Sequence, residues 1–294
     1  MRWFDIDGRD MRNCWVIGPI AWDWPYRLPT LPRSGGFVQG ARLADRAGGT
    51  GANVARALAS RGVAVSMVGY VGRDNWGELS RANLVDCGVD TTHVATVDGD
   101  TSQVLLLIEP SGERTIVGVV PDLMSSVWLD PTVVQAGDLV YLAAWRPQFA
   151  GMVHSLAGRD AVIASVPFPK QEEPLPISYV IGSRAEVPDD SRPSPWRRYC
   201  DWTAGRISGL ILTLGSDGAM SIDADGERHF AAHRIDAVDA TGAGDAFTAA
   251  ILAAMMAGMP PLSGIEEGLL WGAAAVCVDA SIPPPWSEVV GRLL

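Results

Sequence analysis

The chain has 294 residues, 48% of them hydrophobic and 19% charged, with a formal net charge of −11. This is enough for one large α/β domain or two small ones and excludes a disordered composition. A sequence pI of about 4.8 gives a surface field that repels nucleic acid and anionic membranes, which leaves a small molecule as the expected partner.

In chain order, MRWFDIDGRDMRN breaks every apolar run with charge and is unlike a signal peptide. CWVIGPI (14–20) then reads as a short buried strand. Residues 24–45 are rich in Pro and Gly and interrupt the pattern. Ala52–Ser60 predicts a helix, VAVSMVG (63–69) a strand, and Trp76–Cys87 a second helix. Residues 98–118 predict two strands joined by a Pro-Ser-Gly turn. Strands at 138–144, 161–166, 178–183 and 209–215 follow, with a helix over Pro147–Leu156 between the first two and another over Asp245–Ala257 near the end. The stretches 167–176 and 188–195 predict loops. Alternating strands and helices imply a mostly parallel sheet with helices on both faces, with 24–45 and 98–118 as a small sheet over one end. The longest apolar stretch, around Ala249–Met259, is too short to span a bilayer.

Cys14, Cys87, Cys200 and Cys277 are scattered without a CxxC pair, so reduced thiols in a cytoplasm are expected, with no structural zinc site. His93, His154, His229 and His233 lack ligand spacing. Lys170 is the only lysine among 23 Lys and Arg residues, so a phosphate-binding loop of the GxxxxGK[ST] type is excluded. Any phosphate must be held by backbone amides, arginines and a metal.

Two glycine-rich segments carry chemistry. In VDATGAGDAFTAAILAAMMAG (238–258), an apolar helix starts directly behind Gly242-Ala243-Gly244, so its first amides lack intrahelical partners and form an anion hole. Asp245, in the first turn, is placed to accept a proton from an attacking hydroxyl. In AGGTGANVARALASRG (47–62), Gly48 and Gly49 let the backbone approach a ligand, and Asn53 offers a donor and an acceptor to a polyol. Each segment alone is equally a helix-capping turn.

Together, in this order and nearly 200 residues apart, the two segments resemble the paired signatures of the ribokinase-like (PfkB) carbohydrate kinases: Gly48-Gly49-x-x-x-Asn53, and Asp239-Ala240-Thr241-Gly242-Ala243-Gly244-Asp245-Ala246-Phe247. The resemblance implies a three-layer αβα ribokinase-like fold with a β-sheet lid. The core would comprise 13–23, 46–97 and 119–294, and the lid 24–45 and 98–118. It implies a magnesium-dependent transfer of the γ-phosphoryl group of ATP to a hydroxyl of a small sugar or a nucleoside, with Asp245 as base and Gly242 to Gly244 as the anion hole. A non-catalytic sensor on the same fold is the rival from another class.

Asp23 resembles the family's substrate-binding aspartate and would act with Gly48, Gly49 and Asn53. Ala21 stands where the family often has Asn, between Trp22 and Trp24, which suggests aromatic pocket walls or core packing. Ser183-Arg184-Ala185-Glu186 is similar to the family's Asn-x-x-Glu motif, implying Mg2+ near Glu186, held through water. Thr213, Gly215, Ser216 and Gly218 would border the ATP. Asp239 and Thr241 match positions whose backbone helps bind potassium in some members, but VCVDASIPPPW lacks the glycine that usually completes that site. A lid-mediated homodimer is also implied.

Overall fold

The computed structural model describes residues 12–119, 124, 127–156, 161–165, 170–187, 194–235, 238–278 and 280–293. In chain order the strands and helices begin with β1 (Cys14–Ile17), β2 (Ala21–Arg27), β3 (Ala41–Arg42), β4 (Arg46–Gly48) and α1 (Thr50–Ser60). Next come β5 (Val65–Gly72), α2 (Asn75–Asp86), β6 (Asp90–Val97), β7 (Ser102–Ile108) and β8 (Arg114–Gly118). The middle of the chain forms β9 (Leu139–Leu142), α3 (Phe149–Ser155), β10 (Ala161–Ser165), β11 (Tyr179–Ser183) and α4 (Pro195–Trp202). The last part forms β12 (Gly209–Thr213), β13 (Ala219–Asp223), β14 (Gly226–Phe230), α5 (Ala243–Met256), α6 (Ser263–Val276) and α7 (Trp286–Leu293). Parts of the loops expected at 167–176 and 188–195 lie outside the described residues.

Nine strands form the main sheet in the order β14-β13-β12-β11-β10-β9-β1-β5-β6. The pairings from β6 through to β12 are parallel, and β13 and β14 extend that edge antiparallel. Strand periodicity sends alternate side chains to opposite faces. In β1, Cys14 and Val16 join the core formed with α1, α5 and α6, whereas Trp15 and Ile17 join the core that contains Phe149, Met152 and Val153 of α3. Both faces are apolar because both are covered, which gives the expected three layers.

The chain leaves β1 for β5 on one side and later places β9 on the other. Such a reversal opens a crevice at the carboxyl ends of the strands. The second sheet, β3-β2-β7-β8, stands over that end, with β4 also paired to β2. It begins at Ala21 and takes in Arg46–Gly48, so Asp23 belongs to a strand of this sheet rather than to the end of the core segment. β2 runs parallel to β7, and β7 and β8 form the hairpin expected around Pro-Ser-Gly. Asp74 caps α2 through Gly77 N and also accepts from Thr101 N and Oγ1, a structural task that ties α2 to the start of β7. Among the described residues, no helix is long and apolar enough to cross a membrane.

Candidate active site

A cavity of about 500 Å3 lies between the strand ends and the small sheet. Its floor is built from the last residues of β10, β11 and β12, namely Ser165, Ser183 and Thr213, together with Pro19 beyond β1 and Ala143 beyond β9. Its roof comes from Asp23 of β2, Ser102 to Val104 of β7, and Arg114 and Ile116 of β8. Gly242, Gly244 and Asp245 complete the floor from one side, with Gly49 and Asn53 from α1 and the turn before it.

The turn at Gly242 has a conformation that only its sequence allows. Gly242 has φ +81°, and a Cβ there would lie 2.5 Å from the carbonyl oxygen of Ser281, so both its conformation and its surroundings demand glycine. No side chain caps α5, which leaves its first amides for a ligand. A Cβ at Gly244 would meet no protein atom within 4 Å, although this residue lines the cavity; its smallness keeps room for a ligand rather than for the fold.

Asp245 lies in the first turn of α5, and Asn53 Nδ2 donates to its Oδ2 at 2.8 Å. This is its one hydrogen bond to a described residue, so the second carboxylate oxygen keeps its capacity to accept. Burial raises the Asp245 carboxyl to about 6; the Asn53 bond and Arg114 pull it down, Asp23 pushes it up, and Arg56 pulls it down. Asn53 is itself oriented by Arg56, whose Nη1 donates to Asn53 Oδ1 at 3.0 Å. With its oxygen so held, the Asn53 amide must turn its N–H group toward Asp245. Arg56 is 2% exposed, and burial lowers its guanidinium to about 10 despite Cys87, Asp23 and Asp245 nearby.

Asp23 is 4% exposed and lies against Gly48, where a Cβ would fall 2.2 to 2.5 Å from three atoms of the Asp23 carboxylate. Gly48 does not line the cavity; it makes room for the Asp23 carboxylate. Burial raises the Asp23 carboxyl, opposed by a hydrogen bond from Ser281 and by Arg46 and Arg56.

The remaining expected residues divide. Thr213 lines the cavity, whereas Gly215, Ser216 and Gly218 sit in the turn joining β12 to β13, outside it. Ala243 begins α5 beside the lining residues. Trp22 and Trp24 do not line the cavity: they pack on Trp76, with Trp22 Nε1 donating to Asp45 and Trp24 Nε1 to Gln103 Oε1. They are packing for the roof, not its inner wall.

Sequence reasoning missed Arg56, Arg114 and Arg146. Arg114 lines the cavity with Nε buried and without a hydrogen-bond partner among the described residues, and its charge acts on both Asp245 and Glu186. Arg146 lines the same cavity. The available signals were the spacing of Arg56, one helical turn beyond Asn53, and the near absence of lysine, which leaves arginine as the phosphate-seeking cation.

Against this geometry, a family model described as "pfkB family carbohydrate kinase" matches residues 11–157 and 199–287. The chain belongs to that family of kinases, and it is therefore an ATP-dependent phosphotransferase with an alcohol acceptor. A relative from Halopiger xanaduensis, an ATP-dependent ribose-1-phosphate kinase, is 27% identical over 94% of this chain and 96% of its own. Among solved structures, ribokinase from Cryptococcus neoformans in complex with ADP is similar with a TM-score of 0.77 at 22% identity, covering 96% of this chain and 100% of that one. A fructokinase double mutant from Vibrio cholerae, in a fructose-, ADP- and potassium-bound form, has a TM-score of 0.73 at 19% identity and covers 97% and 99%.

The family implies a divalent and, in some members, a monovalent cation, and the residues here fit the two differently. Glu186 and Ser183 line the cavity with Asp245, and burial raises the Glu186 carboxyl, partly offset by the Ser183 backbone and Arg114. A solvent-reachable carboxylate on the cavity wall suits Mg2+, which binds through one or two carboxylates, substrate phosphates and water. For a monovalent cation the Asp239 side chain does not fit. Asp239 is fully buried, and both its oxygens are taken: Oδ1 accepts from Thr241 N at 2.9 Å and Thr241 Oγ1 at 2.6 Å, and Oδ2 accepts from Arg46 Nη2 at 2.7 Å.

Proposed function

We propose that the enzyme transfers the γ-phosphoryl group of Mg·ATP to a hydroxyl of a small sugar, with Asp245 as general base. The observation that carries this reading is the Asp245–Asn53 pair at the uncapped start of α5, inside a cavity shared by the strand ends and the small sheet. The acceptor sits between Asp23, Asn53 and Gly49, with Gly48 behind Asp23, and its reacting hydroxyl on the free oxygen of Asp245. As that hydroxyl attacks, Asp245 takes its proton, and the amides of Gly242, Ala243 and Gly244 meet the charge on the phosphoryl oxygens. Thr213 borders the nucleotide, with Gly215, Ser216 and Gly218 just outside the cavity on the same edge. Glu186 would hold Mg2+ through water, and that ion supplies neutralisation of the phosphate charge.

A second reading of the acceptor, a sugar that already carries a phosphate, is favoured by Arg114 and Arg146 in the same cavity. Arginine is the side chain suited to a phosphate in a site without lysine, and the Halopiger relative is a ribose-1-phosphate kinase. A screen of ADP release over ribose, fructose, ribose-1-phosphate, adenosine and cytidine separates these acceptors. Turnover with the nucleosides alone would replace the sugar reading. Ligand-induced thermal shifts with no turnover on any acceptor would point to a sensor.

Dependence on ATP supports a cytoplasmic location. The roof sheet leaves Ile116, Val117 and Val119 exposed at its β8 edge, which supports a homodimer through the lid. Light scattering on the purified protein tests this, and a monomer at assay concentration would remove it.

A further inference from the structure

We infer that Arg46 is a built-in cation for the anion-hole turn, so that this kinase works without a monovalent metal ion. Asp239 has no exposure and stands three residues before Gly242, at the entrance to the turn that receives a triphosphate. A second buried carboxylate, Asp23, lies close enough for the charge of Asp239 to disfavour its own. Two buried anions beside a polyphosphate need a counter-charge.

The Arg46 guanidinium supplies it. Nη2 donates to Asp239 Oδ2 and Nε donates to Ser281 Oγ, both at 2.7 Å. Ser281 is the residue whose carbonyl presses on Gly242. One side chain from β4 therefore holds the carboxylate before the turn and the loop packed against it. A free ion at this point would have to displace a fork of two charge-assisted bonds that is already part of the fold. Thr241 occupies the other oxygen of Asp239 twice over, so the acceptor capacity left on that carboxylate is on Oδ2, beside the guanidinium, where an ion would meet like charge. Arg46 acts through the turn and is a positioning residue.

The test uses the whole purified chain with Mg·ADP as probe, measuring its affinity and the melting temperature in KCl and in tetramethylammonium chloride of equal ionic strength. The wild type is expected to give the same values in both salts. Mg·ADP affinity that rises about tenfold or more with potassium, or a large potassium-specific rise in melting temperature, would overturn the inference. Two variants sharpen it. Arg46→Met is expected to bind Mg·ADP about tenfold or more weakly in tetramethylammonium chloride, with potassium recovering part of the loss, because the ion can then reach Asp239. Arg46→Lys keeps the charge and should bind better than Arg46→Met. Equal affinity of both variants and the wild type in tetramethylammonium chloride would show that the charge is dispensable and sink the idea. If Arg46→Met does not fold, the wild-type comparison and Arg46→Lys still decide. None of these readouts involves an acceptor or proton transfer, so they are independent of the role given to Asp245.

Discussion

The floor and the roof of the cavity are built by opposite rules. On the floor, function is carried by backbone and by small residues with little freedom to change: Gly242 is confined by its φ and by Ser281, and Gly49 by its φ and by Pro19. On the roof, function is carried by side chains of varied type on β7 and β8, such as Gln103, Val104, Arg114 and Ile116. Phosphoryl transfer is common chemistry and needs a rigid, preorganised amide array. Acceptor choice differs from one enzyme to the next and needs replaceable side chains. Floor variants should therefore lower kcat, and roof variants should change KM and selectivity.

The largest effect is expected at Asp245. Asp245→Asn should lower kcat by about 10²–10⁴ in an ADP-release assay and leave Mg·ADP affinity close to the wild type. Retained turnover would move the base elsewhere. Because the base must be ionised, and its carboxyl is raised to about 6, kcat/KM should fall as pH drops through about 6 and level off above it. Stability moves the other way. A carboxyl raised on folding contributes most below its ordinary value of 3.8 and loses that contribution as pH rises through about 6. At neutral pH, Asp245→Asn should thus melt above the wild type, a gain that a mere packing residue would not show.

Arg114→Met should come next. With its Nε partnerless among the described residues, it is available to a ligand, and losing a charge-assisted bond of ~1.5–3 kcal/mol predicts a fall of about 10–100-fold in kcat/KM. A loss concentrated in KM for ribose-1-phosphate, with ribose unaffected, would assign Arg114 to the acceptor; an equal loss of kcat with both would assign it to the transferring group and to the floor. Gly242→Ala tests the floor directly. Backbone strain of about 1–3 kcal/mol plus the Ser281 clash should lower the urea midpoint and the activity together. The smallest effect is expected at Trp24→Phe, which removes the bond to Gln103 and trims the ring packed on Trp76 and under Arg42; a stability cost of about 0.5–1.5 kcal/mol and a modest KM change would fit support of the roof from behind.

The same contrast explains what could be read from the chain alone. The alternation of strands and helices was legible because both faces of the main sheet are buried, and the predicted runs fall within a few residues of β1, β5 and β9 to β12. Gly242 to Asp245 and Gly48 to Asn53 were legible because a backbone constraint restricts the residue type. Arg56, Arg114 and Arg46 were not, since an arginine in a sequence carries no mark of its partner; only folding shows that Arg46 meets Asp239, 193 residues away. Trp22 and Trp24 were ambiguous for a related reason: an indole suits a pocket wall and a packed interior equally well, and the position of Trp76 decides between them.

The pairing of β2 with β4 places Asp23 opposite Arg46 in a single two-strand ladder. The carboxylate proposed to face the acceptor and the guanidinium proposed to steady the Gly242 turn thus form one rung, the two ends of a short strut. A molecule that draws Asp23 toward itself loads the strut at one end and is felt at the other. Acceptor and nucleotide are accordingly expected to bind synergistically, each tightening the other by the same factor. Acceptor affinities measured with and without Mg·ADP would reveal this linkage, and identical values would show the strut to be slack.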